Sequence, residues 1–363
     1  MAVNIKKAGQ IVRQTLIWNY ENQHNSDYQQ VVPYLTGGSG IGKTEIIRQA
    51  TENEYNGIPI GYLECNIANK EPSEVAGVLM PNMELRQAEH FMSDIIVKAH
   101  KLYDEGFKIG YVNLDEFPQG IVATQNASAP LFNDRMLGGH TLPDGWFIVA
   151  TGNRLSDKAG TQRIPTHIQD RLCPIEVEPD AEDFCRYHAS KNGDPCIPAF
   201  IRFKSQSQEA YTVFGCADPT QKGSGTARSW RRANSVLSMG FEDLACLQEM
   251  LSGTLGDAIA NDFLAFIEVI KSAPELTDLD SIINNPKTAP IAERRDLLFV
   301  VVGALAGKVT EDNFGSIVEY CKRLEPDLMQ VCLLDCMAKD EDLRRTDTFK
   351  HLVADGHLDP LYV

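Results

Sequence analysis

Residues 37–44 read Gly37-Gly38-Ser39-Gly40-Ile41-Gly42-Lys43-Thr44, the spacing G-x-x-x-x-G-K-T. Glycines let successive backbone N–H groups turn inward around phosphate oxygens, and a helix starting just after them adds the positive end of its dipole. In such a loop Lys43 reaches the β- and γ-phosphates, and the Thr44 hydroxyl sits on Mg²⁺. The ligand implied is a nucleoside triphosphate, ATP or GTP.

Two further sets of polar residues suit the same chemistry. Asp115-Glu116 closes the apolar stretch Tyr111-Val112-Asn113-Leu114. Asp115 is placed to hold Mg²⁺ through its water shell, and Glu116 to orient or deprotonate an attacking water. Asn113 is a polar departure within that stretch. Downstream, Ala150-Thr151-Gly152-Asn153-Arg154 ends another apolar run. An uncharged donor–acceptor such as Asn153 can hydrogen-bond both the γ-phosphate and the lytic water.

Positioning these groups requires strands that end where they begin. Val31–Leu35 reads as a strand leading into the loop, and 43–52 as the helix leaving it. Further strands are expected over 59–65, 109–114, 145–151 and 174–179, with an amphipathic helix over 88–105. This alternation predicts a parallel sheet with helices on both faces, over residues 1–179. Beyond Pro179 the periodicity turns helical, over 181–190, 229–239, 244–250, 256–271, 292–306, 314–323 and 326–338. Pro274–Pro290, with three prolines, is the best linker. Gly138-Gly139 reads as a hairpin turn. The segment Val78–Met83 fits either an exposed apolar loop or a locally buried turn.

Composition narrows the class. Hydrophobic residues make up 43% of 363, enough for a real core, and the apolar runs are too short and charge-interrupted to span a membrane. The N-terminus has no apolar leader, which predicts a cytoplasmic protein. A formal net charge of −16 makes nucleic acid an unfavourable main partner, since the phosphate backbone is repelled. The nine cysteines form no C-x-x-C pair and read as reduced core thiols, with Cys332 and Cys336 sharing a helix face. His90, His100 and His188 lack ligand-spaced partners, which argues against a metal other than Mg²⁺.

Taken in order, the phosphate loop, Leu114-Asp115-Glu116, Leu142-Pro143-Asp144-Gly145-Trp146, Ala150-Thr151-Gly152-Asn153 and Ile164-Pro165 through Asp170-Arg171 resemble the MoxR-like AAA+ ATPases, a dynein-related subfamily. Glu71-Pro72-Ser73-Glu74-Val75-Ala76-Gly77 is similar to a stretch of that family that usually carries Asp where Glu74 stands. The resemblance spans about residues 31–237 and implies an AAA+ nucleotide-binding core, an all-α lid over 180–272, and a linker with a helical C-terminal extension over 273–363. It implies that Arg171 acts as an arginine finger on a neighbouring subunit's nucleotide, with Arg163 a second candidate. It also implies that Arg228, in Ala227-Arg228-Ser229-Trp230, is the lid arginine over the γ-phosphate. Arg231 and Arg232 are then expected to pair with carboxylates, and Trp230 to pack in a core. A hairpin around Gly138-Gly139 that helps engage a substrate is implied too. The implied protein is a homo-oligomeric, six-membered ring that hydrolyses ATP with Mg²⁺ and remodels a protein partner, one with a von Willebrand A domain. The alternatives are a nucleic-acid motor and a module in which nucleotide only orders the fold.

Overall fold

The computed structural model describes residues 2–84, 86–157, 160–206, 212–215, 217, 220, 222–272 and 279–358. Cys216 and residues 274–278 of the expected linker lie outside them. The chain divides after Pro179 into two compact units.

The first unit opens with β1 (Val3–Asn4) and α1 (Ile5–Asn22), the helix capped by the Asn4 side chain accepting from the Lys7 N–H. There follow β2 (Pro33–Thr36), α2 (Lys43–Thr51), β3 (Ile60–Asn66), α3 (Pro72–Ala76), β4 (Leu79–Asn82), β5 (Gln87–His90), α4 (Asp94–Asp104) and β6 (Ile109–Asp115). The unit closes with α5 (Val122–Asp134), β7 (Met136–Leu137), β8 (His140–Thr141), β9 (Trp146–Gly152), α6 (Thr166–Gln169) and β10 (Cys173–Glu178). Six strands form one parallel sheet in the order β1-β10-β2-β9-β6-β3. Parallel pairing demands crossovers, so both faces are covered and the central strands read as nearly continuous apolar runs.

One face carries Tyr111, Phe147 and Val149 against Val12, Leu16 and Ile47 of α1 and α2. The other carries Val112, Leu114 and Ile148 against Ile96, Ala99 and Phe132 of α4 and α5. This is an α/β core, a parallel sheet with helices on both faces, and every strand expected from the sequence is present within two residues of its predicted bounds.

One helix is shorter than expected. Residues 87–90 are not the start of a helix over 88–105 but a strand, β5, paired antiparallel with β4. Phe91, which fits the helical period, is 64% exposed, and its N–H donates to Val78. The polar run Gln87–His90 offers no face for the core, so the backbone is satisfied in a hairpin instead. Val78, Leu79, Met80 and Met83 are exposed on this hairpin. Gly138 and Gly139 do form the turn of the β7–β8 hairpin, both with positive φ.

The second unit is helical. It comprises α7 (Ala181–Ser190), α8 (Cys196–Ser205), α9 (Ala227–Ser238), α10 (Leu244–Leu255), α11 (Asp257–Ser272), α12 (Leu279–Asn284), α13 (Arg295–Gly307), α14 (Glu311–Cys321), α15 (Pro326–Lys339) and α16 (Asp347–Ala354). Part of the expected linker is therefore helical, as α12. Trp230 is fully buried among Phe200 and Phe263, its indole N–H donating to the Val213 carbonyl at 3.0 Å. A second apolar cluster, centred on α13–α15, contains Cys321, Cys332 and Cys336. The apolar helix α13 packs on α8 and α15, so the stretches expected as lid and extension share one body.

A buried ion pair fastens that body. Arg202 of α8 donates to both carboxylate oxygens of Asp335 on α15, at 2.7 and 2.8 Å, with Asp335 fully buried. Glu182 of α7 accepts from the same guanidinium. Asp335→Ala leaves Arg202 with only its half-exposed partner, and removing one member of a buried pair costs about 3–5 kcal/mol. A urea melt is expected to show that loss; an unchanged midpoint would contradict it.

Candidate functional site

The loop between β2 and α2 holds its shape through two glycines. Gly42 precedes α2 with φ +103°, a conformation that L side chains rarely adopt. A Cβ on Gly37 would lie 2.4 Å from the Val177 carbonyl oxygen of β10. α2 begins at Lys43, directly after Gly42, so the positive end of its dipole lies at the loop.

Lys43 is 9% exposed, and its ammonium donates to the carbonyls of Gly37 (2.8 Å) and Gly38 (2.7 Å) and to the Asn153 amide oxygen (3.0 Å). The loop lysine and the residue after β9 are thus brought together although 110 positions apart. The Thr44 hydroxyl donates to Asp115 at 2.7 Å, and the Thr151 hydroxyl donates to the same carboxylate oxygen. A hydroxyl and a carboxylate beside a phosphate-binding loop are hard oxygen donors. They fit Mg²⁺, which takes one or two protein oxygens and fills its octahedron with water and phosphate.

Glu116 follows β6 with φ +52°, a strained value for a residue with a side chain. Its exposed carboxylate accepts from the Asn66 amide at 3.1 Å. Asn66 ends β3, opposite Asp115 in the register of β3 on β6. Neither Asn66 nor Thr151 was singled out from the sequence. Thr151 lies inside a run already read as functional, whereas Asn66 gains its meaning only from strand pairing.

The arginines stand differently. Arg171, half-buried just after α6, donates to the Ala129 carbonyl at 3.2 Å and forms no ion pair among the described residues. Arg163 is exposed. In the second unit Arg228 is exposed in the first turn of α9, whose cap is the Thr226 side chain. A cation there is opposed by the helix dipole, so folding alone gives it no benefit. Contrary to the expectation of a carboxylate partner, Arg231 bonds the Tyr187 hydroxyl and lies over its ring. Arg232 has no ion pair among the described residues. The histidines serve backbone carbonyls: His90 faces Gly77, His100 faces Thr141 and His188 faces Asp194. Among the described residues, no helix is long and apolar enough to cross a membrane.

No protein-family model matches the chain, and no curated protein matches it. Among solved structures, the chain is similar to Hsp104 in complex with ATPγS and casein, at TM-score 0.36 and 14% identity, over 79% of this chain and 47% of that one. The chain thus spans about half the length of that Hsp104 chain. Two mutant forms of RuvB from Thermotoga maritima match at TM-scores of 0.34 and 0.31 with 13% and 12% identity. They cover 87% and 82% of this chain, and 88% and 81% of their own.

Proposed function

We propose that this chain is a Mg²⁺-dependent ATP hydrolase of the AAA+ class, similar to the MoxR-like ATPases, that works as a homo-oligomeric ring on a protein partner. The observation that supports it is the convergence of Lys43, Thr44, Asp115, Glu116 and Asn153 at the carboxyl ends of β2, β6 and β9. Ligands of open parallel sheets bind at that edge.

In this reading the loop N–H groups and Lys43 bind the β- and γ-phosphates, and Lys43 exchanges its carbonyl partners for phosphate oxygens. Thr44 and Asp115 would hold Mg²⁺, which would supply charge neutralisation for the transferring group. Glu116, aimed by Asn66, orients the attacking water and takes its proton, while Asn153 holds the γ-phosphate. Arg171 acts in trans across a subunit boundary, Arg163 being the second candidate, and Arg228 acts from the helical unit. Six subunits and a von Willebrand A partner are what the family resemblance adds.

A protein partner is favoured over nucleic acid by the net charge of −16 and by the apolar β4–β5 hairpin, with Met83 at 83% exposure. Titrating labelled duplex DNA into the purified chain at rising salt separates the two. The expected result is no tight binding at any salt; strong binding that falls steeply with salt would favour the nucleic-acid motor.

A further inference from the structure

We infer that Asn113 is a positioning residue for Glu116, acting through one buried water that joins its amide oxygen to that of Asn66. The inference rests on the role just given to Glu116.

Asn113 is fully buried in the middle of β6, flanked by Glu64 of β3 and Val149 of β9. A polar side chain at the centre of a covered parallel sheet is costly unless its atoms are paired. Its Nδ2 donates to the Tyr62 hydroxyl at 3.0 Å, but its Oδ1 has no partner among the described residues. Asn66 presents the same imbalance: Nδ2 donates to Glu116, and the buried Oδ1 has no partner.

The chemistry of their neighbours fixes which way both amides face. The Tyr62 hydroxyl donates its proton to Glu64 at 3.1 Å, so it can only accept from Asn113. Burial pushes the Tyr62 phenol well above its ordinary pKa, so that proton is always present. The Glu116 carboxylate accepts from Asn66. Neither amide can be turned over, and both oxygens are left needing a donor.

Glu64 pairs with Asn113 and Asn66 with Asp115, so Asn113 and Asn66 lie on the same face, one rung apart. Such diagonal neighbours on paired strands are about 7–8 Å apart at their backbones, within reach of one another through a small bridge. A single water carries two O–H donors, which is the number missing, and unsatisfied buried polar groups are where internal waters lodge. The result is a relay along one face of the sheet. Arg48 of α2 holds Glu64 at 3.1 Å, Glu64 accepts from Tyr62, Tyr62 accepts from Asn113, and the water carries the constraint to Asn66 and Glu116. The helix that bears Lys43 and Thr44 is thereby tied to the carboxylate that must face the attacking water.

The test sets stability against turnover. The double variant Tyr62→Phe with Asn113→Val removes the polar side-chain atoms that these two residues bring to the relay, leaving Asn66 in place, and replaces them with residues that suit a covered strand. Its melting temperature is expected to equal or exceed that of the native chain, with ATP affinity unchanged. Its kcat is expected to fall about tenfold or more, the usual effect of losing a partner that orients a reacting group. Wild-type kcat in this variant, or stability and turnover lost together, would overturn the inference. A high-resolution crystal structure of the unaltered chain gives an independent result, with a water bonded to both amide oxygens expected and an empty or dry junction contrary. If Glu116→Gln retains turnover, the role of Glu116 itself fails; if that variant is dead and the double variant fully active, only the relay fails.

Discussion

Lys43→Ala is expected to abolish measurable ATP binding. Lys43 is the one cation among residues 37–44, and it already sits inside the loop on the carbonyls of Gly37 and Gly38. When phosphate enters, the ammonium moves from neutral carbonyl oxygens to charged ones. A hydrogen bond to a charged group contributes about 1.5–3 kcal/mol. Losing two such bonds corresponds to a weakening of about 10²–10⁴-fold in Kd. The contrast with alanine is sharpened because two loop carbonyls then face the phosphates with no cation between them. Direct titration of the purified variant with ATP checks this, and affinity within about threefold of native, under 1 kcal/mol, would remove Lys43 from the site.

Arg171→Ala is expected to leave ATP binding in each protomer intact while cutting turnover. A planar guanidinium suits the charge that gathers on transferring phosphoryl oxygens, and arginine fingers contribute about 10³–10⁵ in rate in other nucleotide hydrolases. Arg171 has no carboxylate to neutralise it among the described residues, and one bond to the Ala129 carbonyl holds it in place. If it serves the neighbouring subunit, the face bearing Arg171 must meet the face bearing Lys43 and Asp115, a heterologous contact that closes into a ring. Mixing Arg171→Ala with Lys43→Ala subunits then creates some boundaries where an intact loop meets an intact arginine. Activity is expected to return in proportion to those boundaries. A mixture as inactive as its parents, or full activity in a strictly monomeric preparation, would contradict the in-trans arrangement.

What the sequence disclosed follows from how local each signal is. The phosphate loop is read from eight consecutive residues because glycine spacing, lysine and threonine each have a separate physical task. Asp115, Glu116 and Asn153 were legible because strands end at Asp115 and just before Glu116 and Asn153. Asn66 and the relay behind it were not, since their meaning depends on β3 lying against β6 in a particular register. Asn113 looked like a flaw in an apolar strand until the Tyr62 hydroxyl was found to accept from its amide.

Two of the helices not expected from the sequence lack one clear apolar face. α5 carries Pro130 inside and buries Thr124, Gln125 and Ser128 beside Leu131 and Phe132, so no amphipathic period survives. α8, with Pro198 in its first turn, is buried along most of its length and reads as a featureless apolar run. The reverse error occurred at residues 88–105, where Phe91 matches a helical period yet belongs to a hairpin connection. Periodicity reports which residues are apolar, not whether anything covers them.

The assignment of hydrolysis to this site is tested most directly by comparing Glu116→Gln with the native chain at matched ATP occupancy. Glutamine keeps the size of the side chain and a hydrogen bond with Asn66, but it cannot take a proton from water. Equal ATP affinity is expected, with steady-state turnover reduced by about 10²–10⁴-fold, the range over which a positioned acid or base contributes. Turnover within about twofold of native at full occupancy, a barrier change below 1 kcal/mol, would contradict it.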